Sequence, residues 1–329
     1  MPCSRFFVAP ASWRLSWQRP ATPRKSRETT SPKSACAVLV LILLCAAFVA
    51  AQSTPHDRTF WQAIAKAKYA VPEHESADAL AHELSALLAS PDPELRDDLA
   101  YSIFANWIYR PNILSKPTLV SLTDEWRANL KDRIGESGTN SVLKRSFSAL
   151  CLSSMAEKEA RTPFLGEPRY HQLVADAITY LQSERDLRGY DAKLGWIHAN
   201  AHTADLLRDL ANSPLLTKEE QTNILSVIAV RLSTAPQVYI QGEQDRMAAA
   251  VLAVIRRPSF DTAAFGAWLT PLDKEDKQVW ANPVTPETLA RCYNHTYFLQ
   301  ALAVRISLEP ESSRRTDLSQ LVLAILRDR

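Results

Sequence analysis

Apolar side chains recur every three or four residues along most of the chain after Thr54, and this spacing predicts amphipathic helices. Leu95, Leu99, Ile103 and Trp107 form one such stripe. Because strand-like alternation is absent from the same region, we expect no sheet. The predicted helices, about a dozen, cover residues 55–68, 76–89, 93–109, 117–132, 140–158, 168–184, 193–211, 217–232, 242–256, 260–269, 286–307 and 314–327.

Helix-start signals support these boundaries. Thr217 and Glu220 have the spacing of a capping box, in which each side chain accepts a backbone N–H of the first turn. Proline is favoured in the first turn, where a missing N–H costs little. It occurs in this way at Thr54-Pro55, Asp92-Pro93, Lys116-Pro117, Glu167-Pro168 and Thr285-Pro286.

Short connections between amphipathic helices favour antiparallel neighbours. We therefore predict an all-α fold of stacked antiparallel helix pairs, as in an α-solenoid or a helical toroid, over a single domain at residues 52–329. Only 7 of the 329 residues are Gly, which argues against dinucleotide-binding sheets and propellers. The most flexible-looking loop is 135–138, and the longest irregular segment is predicted at 270–285.

The first 51 residues differ from the rest. They begin with a segment that holds seven Lys or Arg side chains and one acid, and they end in an apolar run at 35–51. This pattern predicts a secretory signal peptide or, if it is not cleaved, one transmembrane anchor. Either alternative places the remaining chain outside the cytoplasm, as a periplasmic, extracellular or anchored protein. That remainder has a net charge of about −4, so no nucleic-acid partner is expected.

A cluster of polar residues suggests a site near the middle of the chain. On a helix over 193–211, His198, His202, Asp205 and Asp209 lie within a sector of about 60°. Two imidazoles one turn apart, with Asp205, are a candidate site for a divalent metal. The other interpretations are a solvated polar face and acid–base catalysis without metal. On the same helix Trp196 is predicted to lie in the core, and the stripe is expected to face a solvent-reachable groove.

The residues around this stripe resemble a known family. The run from Asp186 through Arg188 and Trp196 to His202 and Asp205 is similar to the bacterial family called domain of unknown function 2785. The resemblance extends over roughly residues 90–305. It implies an all-helical domain without an assigned activity, and it adds weight to a site made of His198, His202, Asp205, Asp186 and Arg188. Thr203 stands where the family pattern has Gly.

Two functions remain open from the sequence. The first is a binding or scaffolding module whose groove takes a peptide, a glycan or a partner protein. The second is an enzyme, such as a metal-assisted hydrolase, that uses the His198, His202 and Asp205 stripe. A third ligand from Asp186, Glu243, Asp245 or His295 within about 5 Å of the histidines would favour the enzyme. Cys151 and Cys292 are expected to be buried thiols, and nucleotide and serine-hydrolase motifs are absent.

Overall fold

A computed structural model describes residues 55–328, and the predictions about the leader at 1–51 lie outside this range. The described residues form twelve α-helices, a short 3₁₀ helix, a π-helix and one two-stranded hairpin. The helices are α1 Arg58–Lys66, α2 Ala77–Ser85, α3 Ser102–Tyr109, α4 Lys116–Asn129, α5 Ser141–Arg161, α6 Glu167–Ser183, α7 Ala199–Ala211, α8 Lys218–Thr234, α9 Glu243–Ile255, α10 Thr262–Trp280, α11 Pro286–Ser307 and α12 Ser313–Arg327.

The helices pack in two rows, which confirms the predicted all-α fold. In the inner row α5 packs on α7, α7 on α9, α9 on α11, and α11 on α12. In the outer row α6 packs on α8 and α8 on α10, and each outer helix also contacts its inner neighbour. A continuous apolar core lies between the rows. The inner helix α7 therefore has packed neighbours on both sides.

Several predicted helix starts are present in the structure, but the one at Pro55 is not, because α1 begins at Arg58 with Asp57 as its N-cap. The Thr217 hydroxyl accepts the Glu220 N–H, and the Glu220 carboxylate accepts the Thr217 N–H, so the capping box that begins α8 is confirmed. Proline stands in the first turn of α4, α6 and α11. Each of these signals depends on residues within four positions of one another, so it can be recognised from the sequence alone.

Two segments differ from the prediction. The predicted helix over 93–109 is divided into a π-helix, Glu94–Tyr101, and α3. The segment 270–285 was predicted to be irregular, but α10 continues through Pro271 to Trp280. Proline removes one helix hydrogen bond. Leu272 and Val279 are buried beyond it, so tertiary packing holds the helix.

The expectation of no sheet is also wrong, although only for four residues. β1 (Tyr190–Asp191) and β2 (Gly195–Trp196) form an antiparallel pair in which Tyr190 lies opposite Trp196. Elsewhere in the described part of the chain, Cys151 and Cys292 are both buried, as expected. No helix between residues 55 and 328 is long and apolar enough to cross a bilayer.

Candidate functional site

The hairpin before α7 changes the position of Trp196. The prediction that Trp196 lies in the core is wrong, because α7 begins at Ala199 and not at residue 193. Trp196 belongs to β2 and is 41% exposed, and its partner Tyr190 is 54% exposed. The two rings meet edge to face with centroids 5.1 Å apart. Two large aromatic side chains therefore lie together on the surface.

A buried arginine holds this hairpin in place. Arg96 from the π-helix is fully buried, and its Nη2 donates to the carbonyl oxygens of Leu194 and Trp196. Its Nη1 donates to the Ser90 carbonyl at 2.8 Å, and the guanidinium lies 4.7 Å above the Phe147 ring. From the sequence we expect Arg96 to serve local ion pairs at a helix start; the structure instead makes it the anchor of the hairpin.

His198 lies beneath the hairpin, in an unusual backbone conformation. It is the residue before α7 and adopts left-handed angles, φ 51° and ψ 31°. Its ring stacks on Trp196 with centroids 4.8 Å apart. Its Nε2 lies 3.1 Å from the Gln241 carbonyl and 3.7 Å from a Glu243 carboxylate oxygen. Since a carbonyl only accepts, Nε2 carries the proton and Nδ1 carries the lone pair.

Burial sets the charge of His198. Loss of water around the ring lowers the pKa of His198 to about 4, and the neighbouring Arg246 adds to this. The imidazole is therefore neutral at pH 7. A Cβ at Gly189 would lie 2.5 Å from the side-chain amide oxygen of Gln241 and 2.7 Å from a Glu243 carboxylate oxygen. A larger residue at position 189 would therefore force these two side chains to move.

The ring of His202 is buried and is fixed by a hydrogen bond to Ser146. The Ser146 hydroxyl donates to the Ile197 carbonyl, and its oxygen lies 2.8 Å from His202 Nδ1. A hydroxyl has one proton, so Nδ1–H must be the donor to Ser146 and Nε2 bears the lone pair. Burial lowers the pKa of His202 well below its usual value, and Phe147 packs against the ring edge to face. His202 is thus a neutral, structurally bound imidazole.

Asp205 and Asp209 are neutralised by arginines. Asp205 Oδ1 accepts from Arg208 Nη1 at 2.9 Å, and its Oδ2 accepts from Arg246 Nη1 at 2.6 Å. Asp209 accepts from Arg208 Nε at 2.8 Å and from the Ser153 hydroxyl. Burial raises the pKa of Asp209. Both oxygens of Asp205 are therefore occupied by guanidinium groups.

The stripe does not face the open groove that its spacing predicts. His198, His202, Asp205 and Asp209 are all buried. The physical reason is that α5 and α9 pack against both sides of α7. Among the described residues, no group of three or more His, Cys, Asp or Glu side chains is arranged to hold a metal ion. The candidate third ligands other than Glu243 have different partners in the structure.

Asp186 and Arg188 fix a loop. Asp186 accepts the Gly138 N–H at 2.9 Å and pairs with Arg188 Nε at 2.8 Å. Arg188 Nη2 donates to the Thr139 carbonyl at 2.7 Å. The loop that looks flexible in the sequence is therefore tied to the segment before the hairpin. A backbone hydrogen bond connects this segment to the histidines, because the His198 N–H donates to the Arg188 carbonyl at 3.1 Å.

Sequence reasoning missed several residues that build this region. Arg145 is buried and forms an ion pair with Glu184 at 2.7 Å, next to the loop that Asp186 holds. Ser146, the neighbour of Arg145, sets the tautomer of His202. Both residues lie within residues 90–305, over which the sequence resembles the family, and this is the one signal that could have found them. Asp245, a candidate ligand, pairs instead with Arg305 at 2.6 Å.

Comparison with known proteins gives one result. The model of the family described as a protein of unknown function (DUF2785) matches residues 130–304. This range contains the hairpin, α7 and all five residues that the resemblance marks as a site. No curated protein and no solved structure matches the chain.

Proposed function

Since the chain belongs to the DUF2785 family, which is described only as a protein of unknown function, we propose that it is a binding module for a glycan. The binding surface consists of Tyr190, Trp196 and Arg246, which we call the hairpin rim. One observation carries the proposal: Tyr190 and Trp196 are half exposed on a rigid hairpin, directly above His198, which is 8% exposed. Large aromatic residues so placed are typical of binding surfaces.

The chemistry of the hairpin rim suits a sugar. One face of Trp196 is covered by His198 and one edge by Tyr190, so the opposite face is available to stack on the C–H face of a pyranose ring. Arg246, whose side chain is 46% exposed, has donors for hydroxyl or carboxylate groups. The Tyr190 hydroxyl, on the exposed part of the same surface, can accept as well as donate. Hydroxyl-rich ligands need both kinds of partner.

The enzyme alternative on His198, His202 and Asp205 has weaker support. Glu243 is the one candidate third ligand near His198, at 3.7 Å, but it faces the protonated Nε2 and accepts the Gln241 N–H. Asp205 gives its two oxygens to Arg208 and Arg246. His202 Nδ1 is committed to Ser146. These contacts stabilise the fold and leave few groups for a reaction. Binding of a ligand at the hairpin rim does not require any of these contacts to break.

The test is direct binding with matched tryptophan variants. The purified protein is screened on an array of neutral and acidic oligosaccharides, and hits are titrated by calorimetry beside unrelated hexapeptides. We expect millimolar to micromolar binding to an oligosaccharide, about 4–8 kcal/mol. Trp196→Ala should weaken it at least about tenfold, whereas Trp280→Ala should not. Trp280 is the control because it is exposed and lies on α10.

Two results would contradict the proposal. If only the hexapeptides bind, the module recognises peptide and not glycan. Equal weakening by the two tryptophan variants would show that the hairpin rim is not the binding surface. Both variants are expected to keep the wild-type melting temperature to within a few degrees.

We propose further that the protein works outside the cytoplasm, in the periplasm or medium or on an N-terminal anchor. The support is the basic leader followed by the apolar run at 35–51. Cell fractionation with intact mass tests it. A mature chain that starts near Gln52 supports cleavage, and a full-length species in the membrane fraction supports the anchor. A soluble full-length cytoplasmic protein would contradict both.

A further inference from the structure

A second group of polar side chains lies away from the hairpin rim, where three helices meet. Ser233 is in the last turn of α8, Asp276 is on α10 and His295 is on α11. Ser233 Oγ lies 3.0 Å from His295 Nε2, and His295 Nδ1 lies 2.8 Å from Asp276 Oδ1. A hydroxyl, an imidazole and a carboxylate thus form one hydrogen-bonded line.

The proton positions follow from the partners. The Asp276 carboxylate only accepts, so His295 Nδ1–H is the donor and the lone pair is on Nε2, facing Ser233. His295 and Asp276 are buried, whereas Ser233 is partly exposed. The base and its orienting carboxylate are therefore shielded from water, and the hydroxyl is reachable. This is the arrangement that activates a serine nucleophile.

One competing acceptor is close. A Glu275 carboxylate oxygen lies 3.2 Å from Ser233 Oγ, slightly farther than His295 Nε2. The single hydroxyl proton goes to one of the two. Either acceptor could serve as a base, but His295 is the nearer one and has the Asp276 carboxylate behind it to stabilise the imidazolium that forms.

Ser233 opens onto a pocket of about 440 Å³ between α8 and α10. Besides Ser233 and Glu275, the wall is mainly apolar. Thr234 already donates to the Val230 carbonyl, and the Trp268 indole N–H donates to the Leu225 carbonyl. The pocket thus suits an apolar acyl group.

We propose that Ser233 is a nucleophile that accepts an apolar acyl group from an ester, with His295 as general base and Asp276 as its positioning residue. Ser233 Oγ attacks the carbonyl carbon while its proton moves to His295 Nε2. The bond to the leaving oxygen breaks, and that oxygen takes the proton from His295. Water then attacks the acyl-serine, His295 takes a proton from it, and Ser233 regains its proton as the carboxylic acid departs.

This inference goes beyond the binding function, and it uses none of the residues of the hairpin rim. Neither failure nor success of glycan binding bears on it. The family match at 130–304 includes Ser233, Asp276 and His295.

The test is covalent labelling of the whole purified protein by an alkyl fluorophosphonate, in which the serine oxygen displaces fluoride. We expect one adduct, located at Ser233 by peptide mass spectrometry. Ser233→Ala should abolish it. Ser226→Ala is the matched control, because Ser226 is exposed on the same pocket wall, and it should label like wild type. His295→Gln and Asp276→Asn should slow labelling about 100-fold or more.

Other outcomes overturn the proposal. If wild-type protein carries its adduct at another serine, or carries no adduct, Ser233 is not the nucleophile. This result does not depend on whether the buried His295 variant folds. Glu275→Gln should retain labelling, because it keeps an acceptor oxygen and removes only the negative charge and basicity of the competing group. Loss of labelling in that variant would make Glu275 the base and refute the role of His295. Far-ultraviolet circular dichroism of each variant confirms that it is folded.

Discussion

Two serine–histidine pairs occur in the described residues at nearly equal distances, yet their protons point in opposite directions. Ser146 Oγ is 2.8 Å from His202, and Ser233 Oγ is 3.0 Å from His295. Ser146 gives its proton to the Ile197 carbonyl, so His202 must donate to it. At the other pair Asp276 accepts the Nδ1–H of His295, so the Nε2 lone pair faces Ser233, whose hydroxyl has the Glu275 carboxylate as a second acceptor.

The comparison shows that a short Ser–His distance does not by itself indicate a nucleophile. The next partner along the hydrogen-bonded line decides the direction of the proton. A backbone carbonyl takes the hydroxyl proton and makes the pair structural. A carboxylate behind the imidazole leaves the hydroxyl proton facing the base and makes the pair reactive. Exposure agrees with this division, because Ser146 is fully buried and Ser233 is not.

The largest expected effect is a loss of stability caused by a substitution at the hairpin, without a loss of labelling at Ser233. Arg96→Met removes a buried guanidinium that binds three carbonyl oxygens and covers Phe147. We expect a loss of about 3–5 kcal/mol in the free energy of unfolding, measured by urea denaturation. Labelling at Ser233 should remain at temperatures where the variant is folded. As a control, Arg305→Met breaks only the surface pair with Asp245 and should cost about 0–1 kcal/mol.

If Arg96→Met also abolished labelling while folded, the two regions would be coupled and the comparison would fail. A cost no larger than that of Arg305→Met would show that the hairpin is held by other contacts.

The second effect is a dependence of stability on pH, which arises from His198 in the hairpin region. Burial lowers the pKa of His198 from 6.5 to about 4. Between these values the unfolded state binds the proton and the folded state does not, so stability falls as the pH drops through this window. At pH 5 the loss is about 2 kcal/mol relative to pH 7. His198→Asn should lack this part of the loss, and asparagine tolerates the left-handed backbone.

A matched control exists for this substitution. His74 also has a positive φ, 70°, but its side chain is 90% exposed. His74→Asn should follow the wild-type pH dependence in urea denaturation at pH 7 and pH 5. If His198→Asn did the same, burial would not be the cause of the acid sensitivity.

Much of the fold was predictable because helix signals are local. The Thr217–Glu220 capping box and the stripe from Leu95 to Trp107 need only residues on adjacent turns. The hairpin was not predicted, because the period of α7 was extended backward past His198. Two of the seven glycines, Gly189 and Gly195, mark this segment. Gly195 has φ +69°, and a Cβ there would lie 2.9 Å from Pro93 Cβ, so both turn conformation and packing require glycine.

The candidate site was predicted less well, for a physical reason. The spacing of His198 and His202 correctly brought two imidazoles together, with ring centroids 5.6 Å apart. It could not show that Asp205 binds two arginines, because Arg246 comes from a different helix. Ser233, Asp276 and His295 likewise come from three helices, and only packing brings them together. The sequence offers His295 as a possible third metal ligand beside His198 and His202, but its partner is Asp276.

The smallest expected effect tests the contrast between the two serines most directly. Ser146→Ala leaves the buried Nδ1–H of His202 and the Ile197 carbonyl without their partner, so it should cost about 1–3 kcal/mol. Ser233→Ala should cost less than about 0.5 kcal/mol, because water can reach the space that the hydroxyl leaves. Labelling should show the reverse order, lost in Ser233→Ala and kept in Ser146→Ala. Equal stability costs in urea denaturation would mean that both hydroxyls are structural, and the direction of the proton would then not distinguish the two pairs.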